Sequence, residues 1–252
     1  MKVVVCVKQI PDPATPYNLE EGTGWLVRPA DQILDDGDRY GVEMGLQLAQ
    51  SNEGTVTLVS MGPTGSAQGL RQALAMGADK AVIIDDESLR GSDALTTARV
   101  LAAAIDREGF DLVITGTEST DGYTGVVPQM MAELLEVPAL TYATHIEIGD
   151  GSATIHQQTA DGYDVVTSSL PVVVAVTAGV VEPRYPTFKG IMDAKKKPVE
   201  TLTAADLGVE PQITQKVVSI TDAPERGGGR KIEDEGEAHL EIVTLLEERK
   251  VI

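Results

Sequence analysis

Residues able to do chemistry gather in one short segment, Gly116-Thr117-Glu118-Ser119-Thr120-Asp121-Gly122-Tyr123-Thr124-Gly125-Val126-Val127. Gly122 and Gly125 let a backbone approach a ligand closely, while Thr124 and the helix start behind it offer donors to a phosphate. A plain strand-to-helix turn would use the same glycines, so spacing alone leaves both readings open. No dinucleotide-type Gly-x-Gly-x-x-Gly follows the first apolar run, and no Walker-type Gly-x-x-x-x-Gly-Lys-Ser/Thr occurs. Cys6, the one cysteine, sits inside an aliphatic run, where a structural role outweighs a nucleophilic one. His145, His156 and His239 lack ligand spacing, so no metal site is expected. Asp31, Asp35, Asp36 and Asp38 read better as helix-start residues than as a cation site.

A second segment, Glu182 to Pro198, suits recognition rather than catalysis. Pro183 and Pro186 stiffen it, Phe188, Ile191 and Met192 stand amid charge, and Lys195, Lys196 and Lys197 follow. A protruding loop with an apolar knob and basic flanks fits protein docking. A solvated basic stretch with Phe188 folded inward fits the composition equally.

The elements that must position these residues follow one rhythm up to about residue 140: an apolar run, a turn, then a helical pattern. Runs at Val3–Val7, Val56–Met61, Lys80–Ile84 and Leu112–Thr115 read as strands buried on both faces. Helical patterns cover Asp36–Gln50, Ser66–Met76, Asp93–Arg107 and Pro128–Leu135. This alternation predicts an α/β fold with a mostly parallel sheet and right-handed crossovers. After Pro138, Ala139–Ile148, Ala153–Gln158, Asp164–Ser168 and Val172–Val176 are separated by turns such as Gly149-Asp150-Gly151, which predicts added antiparallel strands. Glu182–Pro198 reads as irregular, Leu202–Leu207 as one helical turn, and Gly236–Arg249 as a helix. Pro211–Asp234, with Gly227-Gly228-Gly229, is too polar to pack alone, and the weakly periodic tail of about 45 residues reads as disordered or as an arm that orders on a partner.

Bulk properties narrow the function. A net charge of −19 argues against nucleic-acid binding, and one Trp with two Phe leaves no stacking platform. Met1–Lys8 reads as a strand rather than a signal peptide, and no run of 18 or more apolar residues predicts a membrane span. One cysteine excludes an internal disulfide and accords with a cytoplasmic protein.

Glu182-Pro183-Arg184-Tyr185 followed by Ile191-Met192-x-Ala194-Lys195-Lys196-Lys197 resembles the signature of electron transfer flavoprotein β subunits. Val4-Val5-Cys6-Val7-Lys8-Gln9, Ala73-Leu74-Ala75-Met76-Gly77-Ala78-Asp79, Thr120-Asp121-Gly122 with Val127-Pro128, and Asp206-Leu207-Gly208-Val209 agree with it. The similarity runs through most of residues 1–210. It implies a Rossmann-type, doubly wound domain like the adenine nucleotide α-hydrolases over residues 1–185, a recognition loop at 182–200, and an arm at 211–252 that wraps an α subunit. It further implies FAD held mainly by that α subunit and a structural AMP in this chain. Carried over, the AMP pocket uses Cys6, Asp35, Asp36, Gly37, Asp38, Met61, Asp121, Gly122, Tyr123, Thr124, Gly125, Val126 and Val127. The recognition loop, with Arg184, Tyr185, Phe188, Ile191, Met192 and Lys195 to Lys197, would meet dehydrogenases such as acyl-CoA dehydrogenases. Electrons would then pass to a quinone oxidoreductase or another acceptor, with no substrate turned over by this chain and no direct membrane insertion.

Two departures stand out. Many relatives have Leu at the place of Phe188, which bears on the dehydrogenases served. Electron-bifurcating relatives hold a second FAD in the β subunit, and Asp121 to Pro128 lacks their acidic-polar pattern, which favours AMP. An ATP-using enzyme of the same fold type would carry a Ser-Gly-Gly-x-Asp-Ser loop where Lys8-Gln9-Ile10-Pro11-Asp12-Pro13 stands. A free-standing nucleotide-binding stress protein would have no use for the arm and the basic loop.

Overall fold

The computed structural model describes residues 1–221, 223–224, 228–229, 231–234 and 236–252. Within the polar stretch after Pro211, Asp222, Glu225, Arg226, Gly227 and Arg230 therefore lie outside the described residues, as does Glu235. Contacts divide the chain into two compact units, Met1–Val217 and Val218–Ile252.

The first unit begins with β1 (Lys2–Cys6), the short β2 (Gln9–Ile10) and β3 (Ile33–Leu34), then α1 (Asp36–Ser51), β4 (Thr55–Met61) and α2 (Gln68–Met76). It continues through β5 (Lys80–Ile84), α3 (Ala94–Glu108), β6 (Leu112–Gly116) and α4 (Val127–Leu134). The antiparallel extension is β7 (Ala139–Gly149), β8 (Ser152–Gln158) and β9 (Tyr163–Ser169), followed by β10 (Val172–Val176), α5 (Phe188–Ala194) and β11 (Val199–Leu202).

Nine strands form one sheet in the order β11-β5-β4-β1-β6-β10-β7-β8-β9. All pairings from β11 to β7 are parallel; β8 and β9 are antiparallel. The α/β doubly wound fold read from the sequence is the fold of the protein. Val3 and Val5 of β1 point into the core under α1 and α2, and Val4 points into the one under α3 and α4. Two-sided burial explains why these strands read as unbroken aliphatic runs.

The structure differs from the sequence reading in three places. The hairpin pattern holds for β7, β8 and β9, but β10 returns to run parallel between β6 and β7. Its five residues Val172–Val176 are all buried, so they belong in the sheet's centre. The supposedly irregular segment contains α5, and Leu202, assigned to a helical turn, ends β11 against β5. Seven- and four-residue elements are too short to show a period. In α5 close packing replaces it: a Cβ on Gly190 would stand 2.5 Å from the Ala75 carbonyl oxygen of α2.

In the second unit, α6 (Ala238–Glu248) keeps Leu240, Ile242, Val243 and Leu245 exposed and buries none of its residues.

Candidate functional site

Strand order reverses between β1 and β6: β4 and β5 lie to one side, β10 and β7 to the other. Ligands of doubly wound sheets lie beyond the carboxyl ends of the strands at such a reversal. A cavity of about 220 Å³ opens there. Cys6, Met61 and Thr115 from the strand ends and Leu101, Val127 and Met131 from α3 and α4 line its depth; Lys8, Ser119, Gly122 and Thr124 stand nearer the loop. A second hollow of about 540 Å³ adjoins it, sharing Lys8, Met61, Ser92 and Thr97.

Of the residues proposed from the sequence, Cys6, Asp38, Met61, Gly122, Thr124, Gly125 and Val127 line this cleft. Asp35, Asp36, Gly37, Asp121, Tyr123 and Val126 do not; several of them position the others. Asp35 is fully buried and caps α1, taking the Gly37 N–H at 3.1 Å. The same carboxylate accepts the Thr120 N–H at 2.7 Å and its hydroxyl at 2.6 Å, which fastens the glycine-containing loop to the helix start. Asp36 lies outside and meets Arg39 at 3.4 Å. Tyr123 is 70% exposed and holds a left-handed backbone at φ +48°, a strained conformation of the kind that collects at functional loops. Gly125, at φ +63°, takes the same region without that cost.

Asp121 is the loop's electrostatic anchor. Its buried carboxylate meets Lys8 Nζ at 2.6 Å and Arg28 at 2.6 Å, and Lys8 also donates to Ser119 at 3.2 Å. Burial pushes the carboxyl up, but the two cations and their hydrogen bonds outweigh it and hold the acid below its usual range.

Asp38 shows the opposite balance. Burial first, then the charge of Asp35, push it well above the usual carboxylate range, although the Lys8 N–H donates to it at 2.6 Å. A raised folded-state pKa means that stability falls as pH climbs from the unfolded value, about 3.9, through the folded one, and is level above it. Asp38→Asn keeps an oxygen for the Lys8 N–H and removes that loss. The variant's gain in urea stability over wild type, measured without nucleotide, should therefore grow upward from pH 4 and then flatten. A gain independent of pH would contradict this reading.

Cys6 is a thiol at neutral pH, since burial and the Asp38 charge push it up to about 12. Opposite the loop, Asp93 caps α3 by accepting the Thr96 N–H at 2.8 Å and takes the Thr214 hydroxyl at 2.6 Å and its N–H at 2.8 Å. These bonds hold Asp93 well below the carboxylate range and tie residues 212–214 beside the cleft.

The residues expected from the sequence to serve recognition lie on another face. Tyr185 and Phe188 are each 82% exposed, and Ile191 and Met192 are about half exposed. Arg184 turns inward, its guanidinium and N–H gripping Glu43 of α1, and Lys197 donates to the carbonyls of Leu74, Gly77 and Ala78 at the end of α2. Lys195 and Lys196 are exposed.

Sequence reasoning missed Arg28, Thr115 and the Ser92–Asp93 start of α3 as site residues, and it gave Lys8 no role of its own. A buried Asp121 needs a cation, but nothing in sequence spacing points to Arg28, 93 residues away. His145 and His156 face each other across the β7–β8 hairpin with rings 5.0 Å apart. Among the described residues, no group of three or more His, Cys, Asp or Glu could hold a metal ion.

Fold and cleft define a class: a doubly wound α/β protein with a cleft where its strand order reverses. Residues 23–207 match the family described as electron transfer flavoprotein domain. The electron transfer flavoprotein subunit beta of Mycobacterium leprae is 41% identical, with 99% of each chain covered. That of Mycobacterium tuberculosis (strain H37Rv) is 40% identical over 99% of each. Subunit CarD of the caffeyl-CoA reductase-Etf complex of Acetobacterium woodii is 34% identical over all of both chains. The chain belongs to the electron transfer flavoprotein β-subunit family, and its role is in flavoprotein electron transfer. Among the described residues, no helix is long and apolar enough to cross a membrane.

Proposed function

We propose that this chain pairs with an α subunit to form a carrier that takes electrons from flavin dehydrogenases, such as acyl-CoA dehydrogenases, and delivers them to a quinone oxidoreductase or another acceptor. FAD, held mainly by the α subunit, supplies the redox chemistry. This chain contributes a structural AMP site, a recognition segment at 182–200 and an arm at 211–252, and none of its residues serves as acid, base or nucleophile. The exposed apolar side chains of α6 support a partner for the arm. The single cysteine favours a reducing, cytoplasmic setting.

One observation carries the AMP reading. The switch-point cleft joins an apolar depth at Cys6, Met61 and Met131 to polar groups at Lys8, Ser119 and Thr124 and to the start of α4. A flat base suits the first, and a phosphate suits the second. Asp35 and Asp121 hold the loop, and Gly122 and Gly125 let its backbone approach. A second reading, FAD in place of AMP as in bifurcating complexes, draws on the adjoining hollow of about 540 Å³.

Co-expression with the α subunit, followed by denaturing release and quantitation of nucleotides, separates these readings. One FAD and one AMP per heterodimer is the expected result. Two FAD and no AMP would replace AMP by a second flavin, and failure to form a flavin-containing heterodimer would overturn the proposal.

A further inference from the structure

Thr115 is the polar exception in its strand. The sequence Leu112-Val113-Ile114-Thr115 is otherwise aliphatic, and Thr115 shares its sheet face with Val113, two residues earlier, in the core under α3 and α4. Its side chain is therefore set among Cys6, Met61, Leu101, Val127 and Met131, which pack against that core or belong to it and line the cleft. The residue is 4% exposed, and its hydroxyl has no hydrogen-bond partner in the protein. Thr115 Oγ1 is the cleft's one fully buried, unpartnered side-chain oxygen or nitrogen among the described residues.

Leaving a buried hydroxyl unsatisfied is costly, and a valine of the same shape would carry no such cost. The surroundings narrow what could satisfy it. A ribose or a phosphate needs several polar partners, and those stand near the loop at Lys8, Ser119 and Thr124. An apolar slot with a single hydroxyl suits the edge of a planar heterocycle, whose faces pack on aliphatic and thioether groups.

We propose that Thr115 is a specificity-determining residue whose hydroxyl hydrogen-bonds the heterocyclic base of a nucleotide bound in this cleft. The inference rests on the nucleotide reading of the site and assigns its base end to the niche between β1, β6, α3 and α4.

The test uses the heterodimer freed of bound nucleotide, with AMP titrated by calorimetry and ribose 5-phosphate measured as a competitor. Thr115→Val should weaken AMP binding about tenfold and leave ribose 5-phosphate, which has no base, unchanged. Thr115→Ser should restore most of the AMP affinity. Ligand-free stability of Thr115→Val should equal or exceed that of wild type, because the orphaned hydroxyl is gone. Unchanged AMP affinity in Thr115→Val, or an equal loss for both ligands, would overturn the inference while leaving the AMP site standing. Failure of the wild-type heterodimer itself to bind AMP would overturn the AMP reading and this inference together.

Discussion

Asp121→Ala should cost about 3 kcal/mol of stability and empty the switch-point cleft of nucleotide. The side chain has no solvent exposure, and it answers Lys8 and Arg28, each at 2.6 Å. Removing it leaves two cations facing each other and loosens the loop, which keeps the Lys8–Ser119 and Thr120–Asp35 bonds. Because Lys8 and Arg28 are 32% and 26% exposed, water softens the loss, so the lower end of the range for buried pairs applies. The pH dependence follows from the direction of the shift. An acid held below its usual range adds stability that is present above its unfolded value, near 3.9, and lost as pH falls through its folded value. Urea unfolding should therefore show the wild-type advantage over Asp121→Ala intact at pH 7 and shrinking below pH 4. Nucleotide released from the purified variant heterodimer should fall well below that of wild type. Wild-type stability and a full complement of nucleotide in the variant would remove Asp121 as the anchor.

The same residue marks where the sequence was legible and where it was not. The parallel sheet and its two buried faces could be read because β1, β4, β5 and β6 carry aliphatic runs that a two-sided sheet explains, whereas the strand order could not. The loop from Gly116 to Val127 could be placed at the cleft because it follows such a strand. What each of its residues does could not be read. Asp121 and Asp35 look like ligands by type, yet their carboxylates are occupied by protein partners 93 and 85 residues away. Thr115, inside a strand, carries no turn or glycine signal, and its importance depends on a missing partner, which is a property of packing. The same limit applies to the proposed recognition segment: Lys195 and Lys196 are exposed, but Lys197 is turned onto the end of α2 by carbonyls that only the folded chain assembles.

That segment gives the other large effect, through Arg184, which is bonded to Glu43 of α1. Arg184→Ala should destabilise the protein by about 2 to 3 kcal/mol and slow electron acceptance from the dehydrogenase with Phe188 still in place. Glu43 is 3% exposed and receives the Arg184 guanidinium at 2.7 and 3.0 Å and its N–H at 3.2 Å; afterwards, among the described residues, Gln47, at 2.8 Å, is the one side-chain donor left to it. Burial alone would raise Glu43, but the Arg184 and Gln47 bonds reverse the shift, so Arg184 is what keeps a buried charge tolerable there. Glu43→Gln should recover part of the stability lost in Arg184→Ala, because it removes the stranded charge. Phe188→Ala supplies the contrast. At 82% exposure it should change stability by less than about 0.5 kcal/mol, yet slow transfer from the dehydrogenase roughly tenfold or more if the ring fills a pocket on the partner. Chemical unfolding and stopped-flow reduction of the heterodimer's flavin would read both quantities for each variant. Segment 182–200 then acts as a rigid probe, pinned at Arg184, Gly190 and Lys197, only if Arg184→Ala loses stability and rate together while Phe188→Ala loses rate alone. Equal transfer rates in all three proteins would place dehydrogenase docking elsewhere on the heterodimer.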